Sequence, residues 1–222
     1  MNQTGDSLAL GLRSVVALWL LTVFSAAQAA SPEHPARPEI LRAYVESGDY
    51  ARAIESVADA ASVWLQRPDR DRAPREIAIF DLDETLLSNL PIFQRAGFEM
   101  AAVEWETWEQ TGTAPMIRPV ARLVALARAQ GIEIVFLTGR RESRRDATLH
   151  NLRHADLPQR FEVIMKPTDH VGSTGSFKAT ARNTLTRSGA TIVLNIGDQR
   201  SDLDGQGAPH EFLLPNPFYL TP

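Results

Sequence analysis

A parallel, doubly wound α/β sheet is the fold class this sequence predicts, and three observations carry it. Four apolar runs, Ile77–Phe80, Ile132–Leu137, Phe161–Met165 and Thr191–Ile196, read as strands buried on both faces. Segments of helical period alternate with them, so successive strands lie parallel through right-handed crossovers. Polar clusters at 81–85, 138–140 and 197–202 follow three of the runs, at the carboxyl ends where such sheets bind ligands.

Residues 1–29 read as a secretory signal. Arg13 precedes the apolar stretch Val15–Phe24, and Ala27-Gln28-Ala29 supplies small residues for cleavage. The stretch is shorter than the roughly 20 apolar residues of a membrane span. Residues 30–38 form a proline-rich linker, and 39–222 suit one domain with a full core. Between 39 and 66, Leu41, Tyr44, Val45, Ile54, Val57, Ala58, Ala61 and Leu65 recur at helical spacing, and Gly48-Asp49 predicts a break between two helices. After the first strand, Pro91, Gly97 and Gly112 interrupt short helical pieces that carry Phe93, Phe98, Trp105 and Trp108. Helices are predicted over Pro119–Gln130, Glu142–His154 and Ser176–Ser188.

A formal charge of −4 spread without a basic patch argues against nucleic acid as a partner. Cysteine is absent, which excludes both disulfides and a lipid-modified N-terminal cysteine. A periplasmic or secreted protein with no stable membrane anchor follows from the signal segment.

Asp81-Leu82-Asp83-Glu84-Thr85 directly follows the first strand, so Asp81 and Asp83 leave it on the same side. Two close carboxylates at a buried strand end are costly unless a cation or a proton holds them together. Asp81 can attack phosphorus as a nucleophile, and Asp83 can reach a leaving-group oxygen. The Thr138 hydroxyl and the adjacent amides, Gly139 included, can hold phosphoryl oxygens. Asp198 and Asp202, four apart, can complete an oxygen-rich Mg²⁺ site. A lysine would suit Asp81 as a point charge, and the chain's only lysines are Lys166 and Lys178.

These residues resemble the haloacid dehalogenase (HAD) superfamily of phosphohydrolases in its four-aspartate acid phosphatase branch. Asp81–Thr85 is similar to the first motif, Thr138-Gly139-Arg140 to the second and Gly197–Asp202 to the fourth. Leu87–Pro91, Phe177–Arg182 and the ending Leu214–Tyr219 look like plant-type acid phosphatases and vegetative storage proteins. The resemblance implies a Rossmann-like core with a small helical cap at about 88–115. It implies a Mg²⁺-dependent acid phosphatase acting on small phosphomonoesters through an aspartyl-phosphate. Carried over by position, Asp81 is the nucleophile and Asp83 the general acid and base. Thr138 and Lys178 bind phosphate, with the Gly139 amide beside them; apart from the resemblance, Asn89 is placed either to reach the site from the cap or to serve the cap's own structure. Asp81, the Asp83 carbonyl, Asp198 and Asp202 hold Mg²⁺. Lys178 is thereby preferred to Lys166. Phosphotransfer on the same core and a quiet storage or binding protein are the competing functions.

Blander roles compete at several positions. Asp202 can cap a helix, with Asp204 a neighbouring carboxylate. Trp105 and Trp108, three apart, share a helix face and suit either core or substrate contact. Arg140, Arg144, Arg145 and Arg182 can meet phosphate, but ion pairs with Glu142 or Asp146 are the expected role. The histidines lack a convincing metal spacing, and Asn216 is expected to shape a proline-rich turn.

Overall fold

A computed structural model of the chain describes residues 37–69, 72–154, 157, 160–203 and 210–221. The signal segment, most of the linker and Asp204 lie outside these residues. Five strands form one sheet: β1 (Glu76–Phe80), β2 (Glu133–Arg141), β3 (Glu162–Lys166), β4 (Thr191–Gly197) and β5 (Glu211–Leu213). Their order is β3-β2-β1-β4-β5, and every pairing is parallel. Chain order reverses at β1, which has β2 on one side and β4 on the other. That reversal opens a crevice at the carboxyl ends of β1 and β4, the ligand position of open α/β sheets. The short edge strand β5 is an addition to the four strands read from sequence. Three residues beginning with Glu211 give no periodic signal.

Strand alternation divides the core into two layers. Ala78 and Phe80 of β1 and Ile134 and Phe136 of β2 face a large cluster shared with α1 (Pro38–Glu46), α2 (Asp49–Leu65) and α5 (Arg118–Ala129). Ile77, Ile79, Val135 and Leu137 face a smaller cluster under α7 (Thr174–Arg187). Helices on both faces explain why all five residues of β1 are buried. The predicted break between α1 and α2 falls at Gly48, whose φ of 78° strains any residue with a Cβ. Ser173 caps α7, its hydroxyl accepting from Ser176 N at 3.1 Å.

Between β1 and α5 the chain forms α3 (Leu90–Arg95) and α4 (Trp105–Thr111), the helices of the proposed cap. α6 (Arg145–Arg153) starts later than predicted, because Glu142–Arg144 make a 3₁₀ turn after β2 has continued through Gly139 to Arg141. The C-terminal segment returns to this region. Phe218 is fully buried, with its ring centroid 4.7 Å from Phe93, 5.1 Å from Tyr50 and 6.3 Å from Phe98. Phe218→Ala should lower stability by about 3–5 kcal/mol, as for other buried aromatics. Denaturant unfolding checks this, and a midpoint equal to wild type would contradict the cluster's role.

Candidate active site

The chain leaving β1 is fixed before any side chain acts. Asp81 N donates to Ile196 O at 3.0 Å, tying the end of β1 to β4. Thr85, Leu86 and Leu87 then direct their amides to the Leu82 carbonyl at 3.2, 2.9 and 2.7 Å. This tight turn holds Glu84 at a φ of 52°, a left-handed conformation disfavoured for a side chain of its size. The Glu84 carboxyl is buried and held down by Asn89 N at 2.7 Å, Asn89 Nδ2 at 2.9 Å and Tyr219 Oη at 2.5 Å. Local strain is thus offset by tertiary hydrogen bonds.

Asp81, Asp198 and Asp202 converge from the ends of β1 and β4. One carboxylate oxygen of each lies within 4.8 Å of the others, and all three residues are buried. Lys178, from the first turns of α7, donates to Asp81 Oδ1 and Asp202 Oδ1, both at 2.5 Å. Lys166 instead donates to Thr174 Oγ1 at 2.8 Å. Asp198 accepts from Thr85 Oγ1 at 3.3 Å, Gln199 Nε2 at 2.6 Å and Asn216 Nδ2 at 2.7 Å. Asp202 both caps and pairs: Oδ2 accepts from Gln199 N at 2.9 Å at the start of α8 (Arg200–Leu203), while Oδ1 faces Lys178. A Cβ on Gly197 would fall inside the Asp202 side chain, so only glycine permits this approach.

Three carboxylates against one ammonium leave excess negative charge in a dry place. Burial raises Asp81 well above the ordinary carboxylate range despite Lys178, with Asp202, Asp198 and Asp83 adding to the rise. Burial first, then Asp202 and Glu84, lift Asp198 to about 7, against hydrogen bonds from Asn216 and Gln199. Burial and Asp83 raise Glu84 to about 8. A compact, all-oxygen donor set with uncompensated negative charge fits a hard divalent cation.

Asp83 has the opposite character. Burial works against its ionised form, but Arg140 and Asn89 more than offset this and hold it below the usual range. Arg140 donates from Nε to Oδ2 at 2.9 Å and from Nη2 to Oδ1 at 2.7 Å, a bidentate pair. This corrects the expected pairing of Arg140 with Glu142 or Asp146, since Arg140 still lies on β2 and turns to the sheet's carboxyl end. Arg145 does pair with Glu142, and Arg144 reaches Glu106 at 3.2 Å. Arg182 donates to the Asp202 carbonyl at 2.6 Å. Thr138 is fully buried, its hydroxyl accepting from Arg140 N at 3.1 Å. Asn89 is also fully buried and bonded to Asp83, Glu84 and Trp108, so its amide faces protein groups.

A cavity of about 390 Å³ opens over this cluster, lined by Asp81, Asp83, Gly139, Lys178, Asp198 and Asp202. Trp105, Glu109, Lys166 and Tyr219 line it as well. The two cap tryptophans divide their roles: Trp105 lines this cavity, packed edge-on to Tyr219 at 5.2 Å, while Trp108 is buried against Asn89.

A parallel sheet bearing clustered aspartates at its carboxyl rim is the arrangement expected of a HAD-fold hydrolase. A family model described as HAD superfamily, subfamily IIIB (Acid phosphatase) matches residues 21–222. The chain is 36% identical over 186 residues to Acid phosphatase 1 of Solanum lycopersicum, across 82% of this chain and 73% of that protein. It is 29% identical over 177 residues to Vegetative storage protein 1 of Arabidopsis thaliana, across 78% and 60% respectively. The class C acid phosphatase of Bacillus anthracis shares the fold, with a TM-score of 0.68 at 20% identity, across 82% of this chain and 86% of that one. The chain belongs to subfamily IIIB of the HAD superfamily, the acid phosphatases.

Asp81, Glu84 and Asp198 set a pH signature. With their carboxyls raised, the folded chain binds more protons than the unfolded chain between about pH 4 and about pH 8, so stability falls as pH rises across that window. Asp83, being lowered, contributes stability that is lost only below the ordinary carboxylate range. A divalent cation competes with the same protons, so its stabilisation should grow with pH. The chelated protein should melt lower at about pH 8 than at about pH 5, and added cation should raise Tm more at the higher pH. Equal cation-induced shifts at both pH values would contradict this electrostatic assignment.

Proposed function

We propose that the chain is an exported, Mg²⁺-dependent acid phosphatase that hydrolyses small phosphomonoesters through an aspartyl-phosphate on Asp81. The convergence of Asp81, Asp198, Asp202 and Lys178 under a cavity shared with Asp83 carries this reading. When bound, Mg²⁺ held by Asp81, the Asp83 carbonyl, Asp198 and Asp202 neutralises charge between carboxylate and phosphate. The Asp81 carboxylate attacks phosphorus, and the ester P–O bond breaks. Asp83 passes its proton to the departing oxygen. As a carboxylate, Asp83 then takes a proton from water attacking the acyl phosphate, which releases phosphate and restores Asp81. Lys178 opposes the burial-driven protonation of Asp81 and meets the phosphoryl oxygens together with the Gly139 amide, while the buried Thr138 hydroxyl acts from behind by holding the Arg140 amide. Asn89 acts through Asp83 rather than by contact with substrate.

The domain reading keeps 1–29 as signal, 30–38 as linker and 39–222 as the catalytic domain, with the cap at about 88–115. Export rests on the signal pattern. No helix among the described residues is long and apolar enough to cross a membrane. Residues 1–29 lie outside the described residues, and N-terminal sequencing of exported protein should start at Ala30.

The full chain should hydrolyse an aryl phosphate with Mg²⁺ and lose activity on chelation. Asp81→Asn should lower kcat by at least about 10³-fold, the scale of losing a nucleophile. Rapid acid quench with labelled substrate should trap phosphate on the wild-type protein and none on this variant. Unchanged turnover in Asp81→Asn rejects the mechanism.

A further inference from the structure

We propose that the cap reaches the chemistry from behind, with Trp108 orienting Asn89 and Asn89 fixing which oxygen of Asp83 carries the transferred proton. The inference rests on the reading of Asp83 as general acid. Trp108, on α4, is buried and donates from Nε1 to Asn89 Oδ1 at 2.6 Å. An indole N–H can only donate, so this bond requires the amide oxygen of Asn89 to face Trp108. The amide nitrogen must then face the other way. There it meets two acceptors, Asp83 Oδ1 at 3.0 Å and Glu84 Oε2 at 2.9 Å. A reversed amide would set its NH₂ against an indole donor and its oxygen against two carboxylates. The amide therefore has one satisfied orientation, and Trp108 selects it.

The consequence falls on Asp83. Oδ1 accepts from both Arg140 Nη2 at 2.7 Å and Asn89 Nδ2 at 3.0 Å, which fills its two lone pairs. Oδ2 accepts only from Arg140 Nε at 2.9 Å. The remaining lone pair, and so the proton, belongs to Oδ2. Without Asn89 either oxygen can carry the proton and the carboxyl is free to tilt on Arg140, and a reacting group displaced by about 1 Å loses about 10²-fold. Trp108 and Asn89 are positioning residues. Neither lines the cavity in which Asp83 works.

Leaving-group selectivity separates positioning from structural support. A nitrophenolate departs without a proton, whereas an alkoxide needs one. The measured quantity is kcat/KM, which covers steps up to phosphoryl transfer, compared between nitrophenyl phosphate and an alkyl phosphate with saturating Mg²⁺. Asn89→Ala should lower kcat/KM for the alkyl ester by about 10²-fold, and for the aryl ester by less than about threefold. Trp108→Phe keeps the ring bulk but removes the N–H, and should lower the alkyl value by about fivefold to tenfold with the aryl value nearly unchanged. Asp83→Asn calibrates the assay by showing the selective loss at full size. If Asp83→Asn is selective but the other two variants slow both esters equally, or neither, the positioning proposal is overturned and the acid role stands. If Asp83→Asn itself slows both esters equally, the acid role fails and the proposal fails with it.

Discussion

The contact on which the rest depends is the buried ammonium of Lys178 between Asp81 and Asp202. Removing charges from water costs several kcal/mol per ion even after relaxation, and truncating one partner of a buried pair typically costs about 3–5 kcal/mol. Here one cation is shared by two carboxylates, with Asp198 close behind. The site is therefore underneutralised by construction. Such an arrangement is poor at stabilising a fold but well suited to drawing in a cation and then a phosphoryl group. The free energy stored in uncompensated charge is released on binding.

Stability for this centre comes from elsewhere in the chain. The segment after β5 supplies two of its supports. Asn216 accepts from Phe218 N at 2.9 Å and Tyr219 N at 3.3 Å, which shapes the turn, and its Nδ2 reaches Asp198. Tyr219 clamps Glu84, and Phe218 anchors the segment among aromatics from α2 and the cap. Loop after β1, cap and C-terminal tail thus brace one another through Glu84, a strained residue that touches no part of the reaction. The expected turn role of Asn216 is one half of what that side chain does.

Legibility in the sequence followed range. Ile77–Phe80 and Asp81–Thr85 were readable because strand period, a strand end and paired acids sit within nine adjacent positions. The remaining core strands and the break at Gly48 were equally local. The grouping of Asp81 with Asp198 came from topology, since both follow strands that a doubly wound sheet places side by side. What could not be read was side-chain pairing across long separations. Arg140 with Asp83, Asn216 with Asp198 and Trp108 with Asn89 each depend on how loops fold back over the rim. No spacing rule links positions 83 and 140. Nor could composition show that the two cap tryptophans, although three apart, face different surroundings. Strand β5 was missed because three residues at a sheet edge leave too short a pattern.

The resting charges are the reverse of those the reaction uses, and this follows from the same physics. Asp81, proposed to attack as an anion, is pushed toward its protonated form chiefly by burial. Asp83, proposed to donate a proton, is held as an anion by Arg140. In the proposed reaction each assignment inverts when ligands arrive. A cation beside Asp81 and Asp198 favours their ionised forms, adding to Lys178 a second opposite charge against desolvation. A phosphoryl dianion next to Asp83 acts in the other direction, as a like charge that also competes for the Arg140 guanidinium. An acidic medium adds to the second effect. The acid role proposed for Asp83 then follows from substrate binding rather than from the free site. A buried acid pair with opposed shifts assigns acid and base only after the charges of the missing partners have been counted.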